Sequence, residues 1–156
     1  MLRGLGVSSG IVYGRALVLD PAKFVLSRKS ISKGKGVTME IARFRSALKN
    51  AAQDLQALKS DVRRSVGADH AGIFEAHILL LRDPAIIELV TKTIKEQLVV
   101  AEWAVQEVFQ ETISALSIVG DHYLRERISD LEDVRDRVLD AQSRDLQRNP
   151  LLLESA

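Results

Sequence analysis

Residues 37–67 read VTMEIARFRSALKNAAQDLQALKSDVRRSVG. Within them Val37, Ile41, Phe44, Leu48, Ala51, Leu55, Leu58, Val62 and Val66 recur at spacings of four and three. An α-helix turns once in about 3.6 residues, so these side chains form one stripe, an a/d seam sustained for about four heptads. Gly67 closes the run, since the left-handed backbone that ends many helices is least costly for glycine. The stretch predicts a long helix forming one arm of a helical hairpin.

Downstream the helical period continues between recognisable breaks. A second helix, from about Asp69 to Leu81, is apolar nearly all round, with Ile73, Phe74, Ala76, Ile78, Leu79, Leu80 and Leu81. Such a helix is either buried on both sides or offers one apolar face to a partner. Asp83-Pro84 pairs an N-cap with proline at the first helical position, and restarts the chain as a third helix to about Leu98. Its packing stripe is Ile87, Val90, Ile94 and Leu98. A fourth helix, about Ala101 to Ser117, uses Ala104, Val108, Thr112 and Leu116, with Trp103 and Phe109 beside them. Gly120-Asp121 interrupts again. The fifth helix, from His122, carries apolar Leu124, Ile128, Leu131, Val134 and Val138, and an opposite face of paired charges: Arg127 with Asp130, Glu132 with Arg135, Asp133 with Arg137. The pattern ends near Asn149-Pro150.

Upstream the first 19 residues read as β. Gly4, Gly6, Gly10 and Gly14 punctuate the strand-like runs Ile11-Val12-Tyr13 and Ala16 to Leu19. The expected fold class is mainly α: an antiparallel helical hairpin bundle of about five helices with a short N-terminal β segment. Four segments follow: 1–20, the first strands of an incomplete α/β unit; 21–36, a linker; 37–145, the helical unit; 146–156, a tail. Strands 1–19 on their own leave unpaired edges and exposed Leu17 and Leu19, which predicts dimers, swapped hairpins or disorder.

Composition excludes several functions. The chain has 156 residues, 46% apolar and 28% charged, an ordinary globular balance large enough for one domain with a sizeable core. Its 22 lysines and arginines nearly balance 21 aspartates and glutamates, so no overall field marks a nucleic-acid binder. The distribution is uneven: eleven cations fall within 22–66 against Glu40, Asp54 and Asp61, whereas 68–90 holds Asp69, Glu75, Asp83 and Glu88 against Arg82. There is no cysteine, which excludes disulfides, thiolate catalysis and thiolate-bound metals. Apolar runs stop at four residues and no signal-peptide pattern opens the chain, so the expected location is the cytoplasm, with no membrane contact. Gly4, Gly6 and Gly10 lack dinucleotide-loop spacing, and Lys33-Gly34-Lys35-Gly36 is not a P-loop. His70 and His77 lie two helical turns, about 10 Å, apart, too far for one metal without other ligands, and His122 is alone. No nucleophile has a base at a telling spacing. The residues themselves therefore predict no catalytic group, no metal site and no cofactor.

Four blocks carry a resemblance: Gly6-Val7-Ser8-Ser9-Gly10-Ile11-Val12-Tyr13-Gly14-Arg15-Ala16; residues 72–84, Gly-Ile-Phe-Glu-Ala-His-Ile-Leu-Leu-Leu-Arg-Asp-Pro; Ala101-Glu102-Trp103-Ala104-Val105; and Tyr123-Leu124-Arg125-Glu126-Arg127 with Ser129-Asp130-Leu131-Glu132-Asp133-Val134. In order and spacing these resemble the N-terminal part of enzyme I of the phosphoenolpyruvate-dependent sugar phosphotransferase system, over residues 4–140. The resemblance implies a chain that moves a phosphoryl group from phosphoenolpyruvate through a histidine to the small carrier HPr. It implies an α/β phosphohistidine domain into which a helical, HPr-docking subdomain is inserted. The family's Gly-Gly-x-Thr-Ser-His segment is not present here, nor is its phosphoenolpyruvate- and Mg²⁺-binding barrel, through which the family dimerises. The chain alone is thus expected to be inactive, either a piece cut after the docking subdomain or a naturally short relative; the first is favoured. A nitrogen-branch relative serving an HPr-like carrier fits the same blocks.

By the same resemblance Leu79, Leu80, Ile86 and Leu116 match the family's apolar docking positions. Asp69, Glu75 and Asp83 would supply a negative rim to a carrier ringed with lysine and arginine. Arg127 matches a position near the transfer site, where a cation attends the phosphoryl group. The alternative is a structural module that self-associates through the 41–62 seam. The two differ in which apolar face is exposed.

Overall fold

In the computed structural model the described residues are 13, 26–65, 67, 72–118 and 122–148, with only the backbone described over 122–126 and 146–148. Five helices follow in order: α1 Lys35–Ser65, α2 Gly72–Leu81, α3 Pro84–Gln97, α4 Ala101–Ser117 and α5 His122–Arg148. The α1, α4 and α5 helices form the body, α3 packs along α4, and α2 lies across α1 and α5. The mainly α expectation holds. The strands expected over 1–20 fall outside the described residues except for Tyr13, which is fully exposed and in no regular element.

The first helix begins two residues before the predicted seam. Gly34 turns the chain at φ +80°, and its carbonyl accepts from both the amide and the hydroxyl of Thr38, at 3.0 Å each. Gly36 follows in close quarters: a Cβ there would stand 2.8 Å from Ser32 Oγ. The residues of α1 that bury fully are Gly36, Glu40, Phe44, Ala47, Ala51 and Leu55, only partly those of the seam. Val37, Ile41 and Leu48 are half-buried beside them, and Leu58 is exposed. A two-helix seam is narrow; α1 instead meets four other helices, which requires a broader apolar face. Phe44, Ala51 and Leu55 of the proposed self-association seam therefore lie in the core of one chain.

Asp83 starts α3 as the sequence predicts, its Oδ1 accepting from Ala85 N at 2.8 Å with Pro84 next. The helix ends at Leu98, which adopts a left-handed backbone, φ 53° and ψ 48°, at a cost of about 1–2 kcal/mol for a residue with a Cβ. Two hydrogen bonds hold that corner: Ile31 N donates to Leu98 O at 2.8 Å and Val100 N to Lys29 O at 3.2 Å, around an isolated antiparallel bridge of Ser30 with Val99. The linker is thus pinned to the α3–α4 turn, with Ile31, Val99 and Val100 buried.

The N-terminus of α4 has no cap of its own, since Val100 carries no acceptor. Glu40 reaches across from α1, and its Oε2 accepts from Ala101 N at 2.7 Å. Arg43 neutralises it, donating to both carboxylate oxygens at 2.7 and 2.8 Å, and also binds Glu102. Burial opposes the charge of Arg43, but Glu102 and Glu40 outweigh it and hold the guanidinium pKa above its ordinary value. Further along α4, Val105, Phe109 and Ile113 are buried, so the core stripe is wider than the predicted one; Thr112 turns its hydroxyl to Val108 O at 2.8 Å. On α5, Leu131, Val134 and Val138 bury as expected. Of the predicted charge pairs Arg127–Asp130 forms, at 3.6 Å, while Arg135 turns to Asp136 at 2.7 Å. Spacing decides which residues share a face; rotamers decide which of them touch. Arg144 joins α5 to α1 through Asp54 at 2.6 Å, and that hydrogen bond raises its pKa above the ordinary arginine value.

Candidate docking surface

The site begins with α2, ten residues of which only His77, Ile78 and Leu81 are buried. At about 100° per residue these three share one side of the helix. Ile73, Ala76 and Leu80 then lie along one edge of the outer face, and Glu75 and Leu79 along the other. Leu79 is 65% exposed and Ile73 54%, although the helix is one of the most apolar stretches in the chain. Leu80 is half-buried against the core. The helix is therefore of the second predicted kind: one face in the core, one apolar face outward.

Two hydrogen bonds, Arg82 N to Leu79 O at 3.1 Å and Asp83 N to Leu80 O at 3.2 Å, turn α2 directly into α3. This tight corner puts Ile86, in the first turn of α3, only six residues after Leu80. Ile86 and Leu116, in the last turn of α4, are both half-buried against the core. Just beyond Leu116 stands Ile118, 85% exposed. Between α1 and α2 an open groove of ≈780 Å³ is lined by Lys59, Glu75, Ile78, Leu79, Arg82 and Ile87, among others.

The charged candidates divide. Glu75 pairs with Lys59 of α1 at 3.2 Å while staying largely exposed. Asp83 is committed to the α3 cap. Asp69 lies outside the described residues. Arg127 is half-exposed and paired with Asp130, whose other oxygen meets the buried ring of His77 at 3.1 Å. Among the described residues no group of three or more histidine, aspartate or glutamate side chains converges to hold a metal. No described helix is long and apolar enough to cross a membrane. The chemistry on offer is the exposed apolar face of α2, with Glu75 on the same helix; α2 packs on α1, α5 and α3 and not on α4, so Leu116 stands apart from it among the described residues.

Of the exposed apolar groups on α2, α3 and the end of α4, sequence reasoning missed Ile73, Leu89 and Ile118. Ile73 lies seven residues before Leu80 and so on the same edge, a signal available in the spacing. Ile118 had none, because its exposure depends on where α4 ends. His77, too far along the helix from His70 to share a metal with it, is buried and bonded to a carboxylate of another helix.

A family described as PEP-utilising enzyme, N-terminal, matches residues 3–127. The phosphoenolpyruvate-protein phosphotransferase of Priestia megaterium is 34% identical over 138 residues, 88% of this chain and 24% of that protein. That of Bacillus subtilis is 31% identical over 137 residues, again 88% of this chain and 24% of the relative. Among solved structures, an Enzyme I protein determined by NMR in solution superposes with a TM-score of 0.72 at 37% identity, covering 77% of this chain and 48% of that one. The N-terminal domain of a nitrogen Enzyme 1 shares the fold, with a TM-score of 0.69 at 24% identity over 83% of this chain and 52% of its own. The chain thus spans about a quarter of the length of the curated relatives it matches.

Proposed function

The chain belongs to the family of PEP-utilising enzymes, N-terminal, and from that premise we propose that it is the carrier-docking part of a phosphoenolpyruvate-protein phosphotransferase. Its partner is an HPr or HPr-like phosphocarrier, its compartment the cytoplasm. Phosphoryl passes from phosphoenolpyruvate to a histidine and then to the carrier; this sequence has no Gly-Gly-x-Thr-Ser-His segment, and its own role is to hold the carrier.

One observation carries the reading: a helix with a buried inner side presents Leu79 and Ile73 to solvent. By the family resemblance Leu80, Ile86 and Leu116 join them in the apolar centre of an interface of ordinary anatomy, with Glu75 and Asp83, and by the resemblance alone Asp69, as its negative rim. The centre supplies most of the affinity. The rim acts on encounter rate and partner choice, favouring a carrier surface rich in lysine and arginine. Arg127 supplies a cation for the travelling phosphoryl group.

The test is calorimetric titration of the chain with HPr-type carriers, for the wild type and Leu79→Asp. Because Leu79 is largely exposed, the variant should keep its helix content. A charge at a central anchor should weaken binding by at least about thirtyfold, the equivalent of about 2 kcal/mol. Carrier affinity unchanged by Leu79→Asp would refute this surface as the docking face.

A further inference from the structure

Asp130 on α5 sits between two cationic or potentially cationic groups from different surroundings. Its Oδ1 is 3.1 Å from Nε2 of His77, a side chain only 3% exposed on α2, and its Oδ2 is 3.6 Å from Nη1 of Arg127, whose side chain is 43% exposed. We propose that Asp130 is a positioning residue that fixes the Arg127 guanidinium at the docking surface, and that His77 holds Asp130 for that task. The proposal rests on the docking reading, in which Arg127 faces the carrier.

The Nδ1 of His77 is buried and has no partner among the described residues. A neutral imidazole carries one N–H. Placing it on Nδ1 would bury an unmatched donor and turn the Nε2 lone pair toward a carboxylate. The proton therefore belongs on Nε2, which donates to Asp130 Oδ1. This bond restrains the carboxylate from the far side, and its second oxygen is left directed at Arg127.

An arginine and an aspartate three apart on an exposed helix face attract each other only weakly, and such a pair seldom restrains a long side chain. Here the aspartate is not free to rotate. Its anchor comes from another helix and is itself immobilised in the core. The anchor also lies two residues before Leu79 and three before Leu80. The same turn of α2 thus turns Leu79 outward and, on its inner side, holds through His77 the aspartate that Arg127 of α5 faces. An apolar ring at position 77 would fill the space without leaving a buried nitrogen unpaired, so the polar contribution of His77 lies in its bond to Asp130.

The test uses the full chain and the variants Arg127→Gln, Asp130→Asn and their combination. Asp130→Asn keeps a carbonyl oxygen for the His77 donor, preserving the α2–α5 link, and removes the charge that Arg127 faces. Each single change should weaken HPr-type carrier binding by about fivefold, and the double variant should be no weaker than Arg127→Gln alone. Multiplicative losses, or wild-type affinity in Asp130→Asn, would overturn the proposal. A second readout needs no carrier. In the free chain ¹⁵N shifts should report His77 protonated on Nε2, and side-chain relaxation should show Arg127 far more ordered than exposed Arg45, with that order lost in Asp130→Asn. Equal mobility of Arg127 and Arg45 in the wild type would overturn the proposal whether or not a carrier binds, and whether or not the variants fold. If Arg127 is ordered as expected and the wild type ignores every carrier, it is the docking reading that fails.

Discussion

Leu79 and Leu80 are neighbours with different surroundings, and substitutions at the two should be read differently. Leu79 stands in solvent, whereas Leu80 packs partly against the core. Leu80→Asp combines lost docking with a desolvated charge, so a fall in thermal stability should accompany it. Asp83 separates two effects in the same way. Its carboxylate caps α3, and asparagine caps about as well as aspartate, so Asp83→Asn should keep stability while slowing carrier association and flattening its salt dependence. Asp83→Ala should in addition cost about 1 kcal/mol in denaturant unfolding. If Asp83→Asn is as destabilising as Asp83→Ala, the charge itself and not the cap geometry is what α3 needs. The cap was legible in the Asp83-Pro84 dipeptide; that it occupies the very carboxylate assigned to the rim was not, because a sequence does not show which of two tasks a side chain performs.

At the scale of elements, the helices were legible and the bonds between them were not. The apolar period marked α1, α3, α4 and α5, a continuous apolar stretch before Asp83-Pro84 marked α2, and Ala101–Ser117 begins and ends where the pattern changes. The α1 face was misjudged at its edges, since a heptad count assumes one partner helix and α1 packs on four. Most instructive is the α4 N-terminus. Val100 is an unsuitable cap, and the acceptor comes from Glu40, 61 residues earlier, with Arg43 balancing its charge. Nothing local in either stretch announces this. Glu40→Ala should strip the cap and leave Arg43 buried with Glu102 alone, costing about 3–5 kcal/mol by denaturant unfolding. A loss below about 1 kcal/mol would mean that water replaces the carboxylate at no great cost. Arg43 should add no pH dependence at working pH. Its folded-state pKa is raised, so its contribution is complete below the ordinary arginine value and disappears only as pH climbs through the higher, folded one.

For the whole molecule, the sequence resolves function through its blocks more than through its chemistry. No catalytic constellation could be read from residue spacing, whereas the order and spacing of four blocks pointed to a family that the comparisons bear out. The N-terminal strands and the division into four segments remain expectations. Incubated with phosphoenolpyruvate and Mg²⁺, the chain alone should acquire no acid-labile phosphate, having no Thr-Ser-His segment; phosphate on His70, His77 or His122 would contradict the docking assignment. The most direct test is an NMR titration of the isotopically labelled chain with an HPr-type carrier. Shifts should concentrate at Ile73, Leu79, Leu80, Ile86, Leu116 and Arg127, with Phe44, Ala51 and Leu55 unmoved. Absence of binding, or shifts that centre on the 41–62 stretch of α1 and depend on the concentration of the chain itself, would contradict the docking reading.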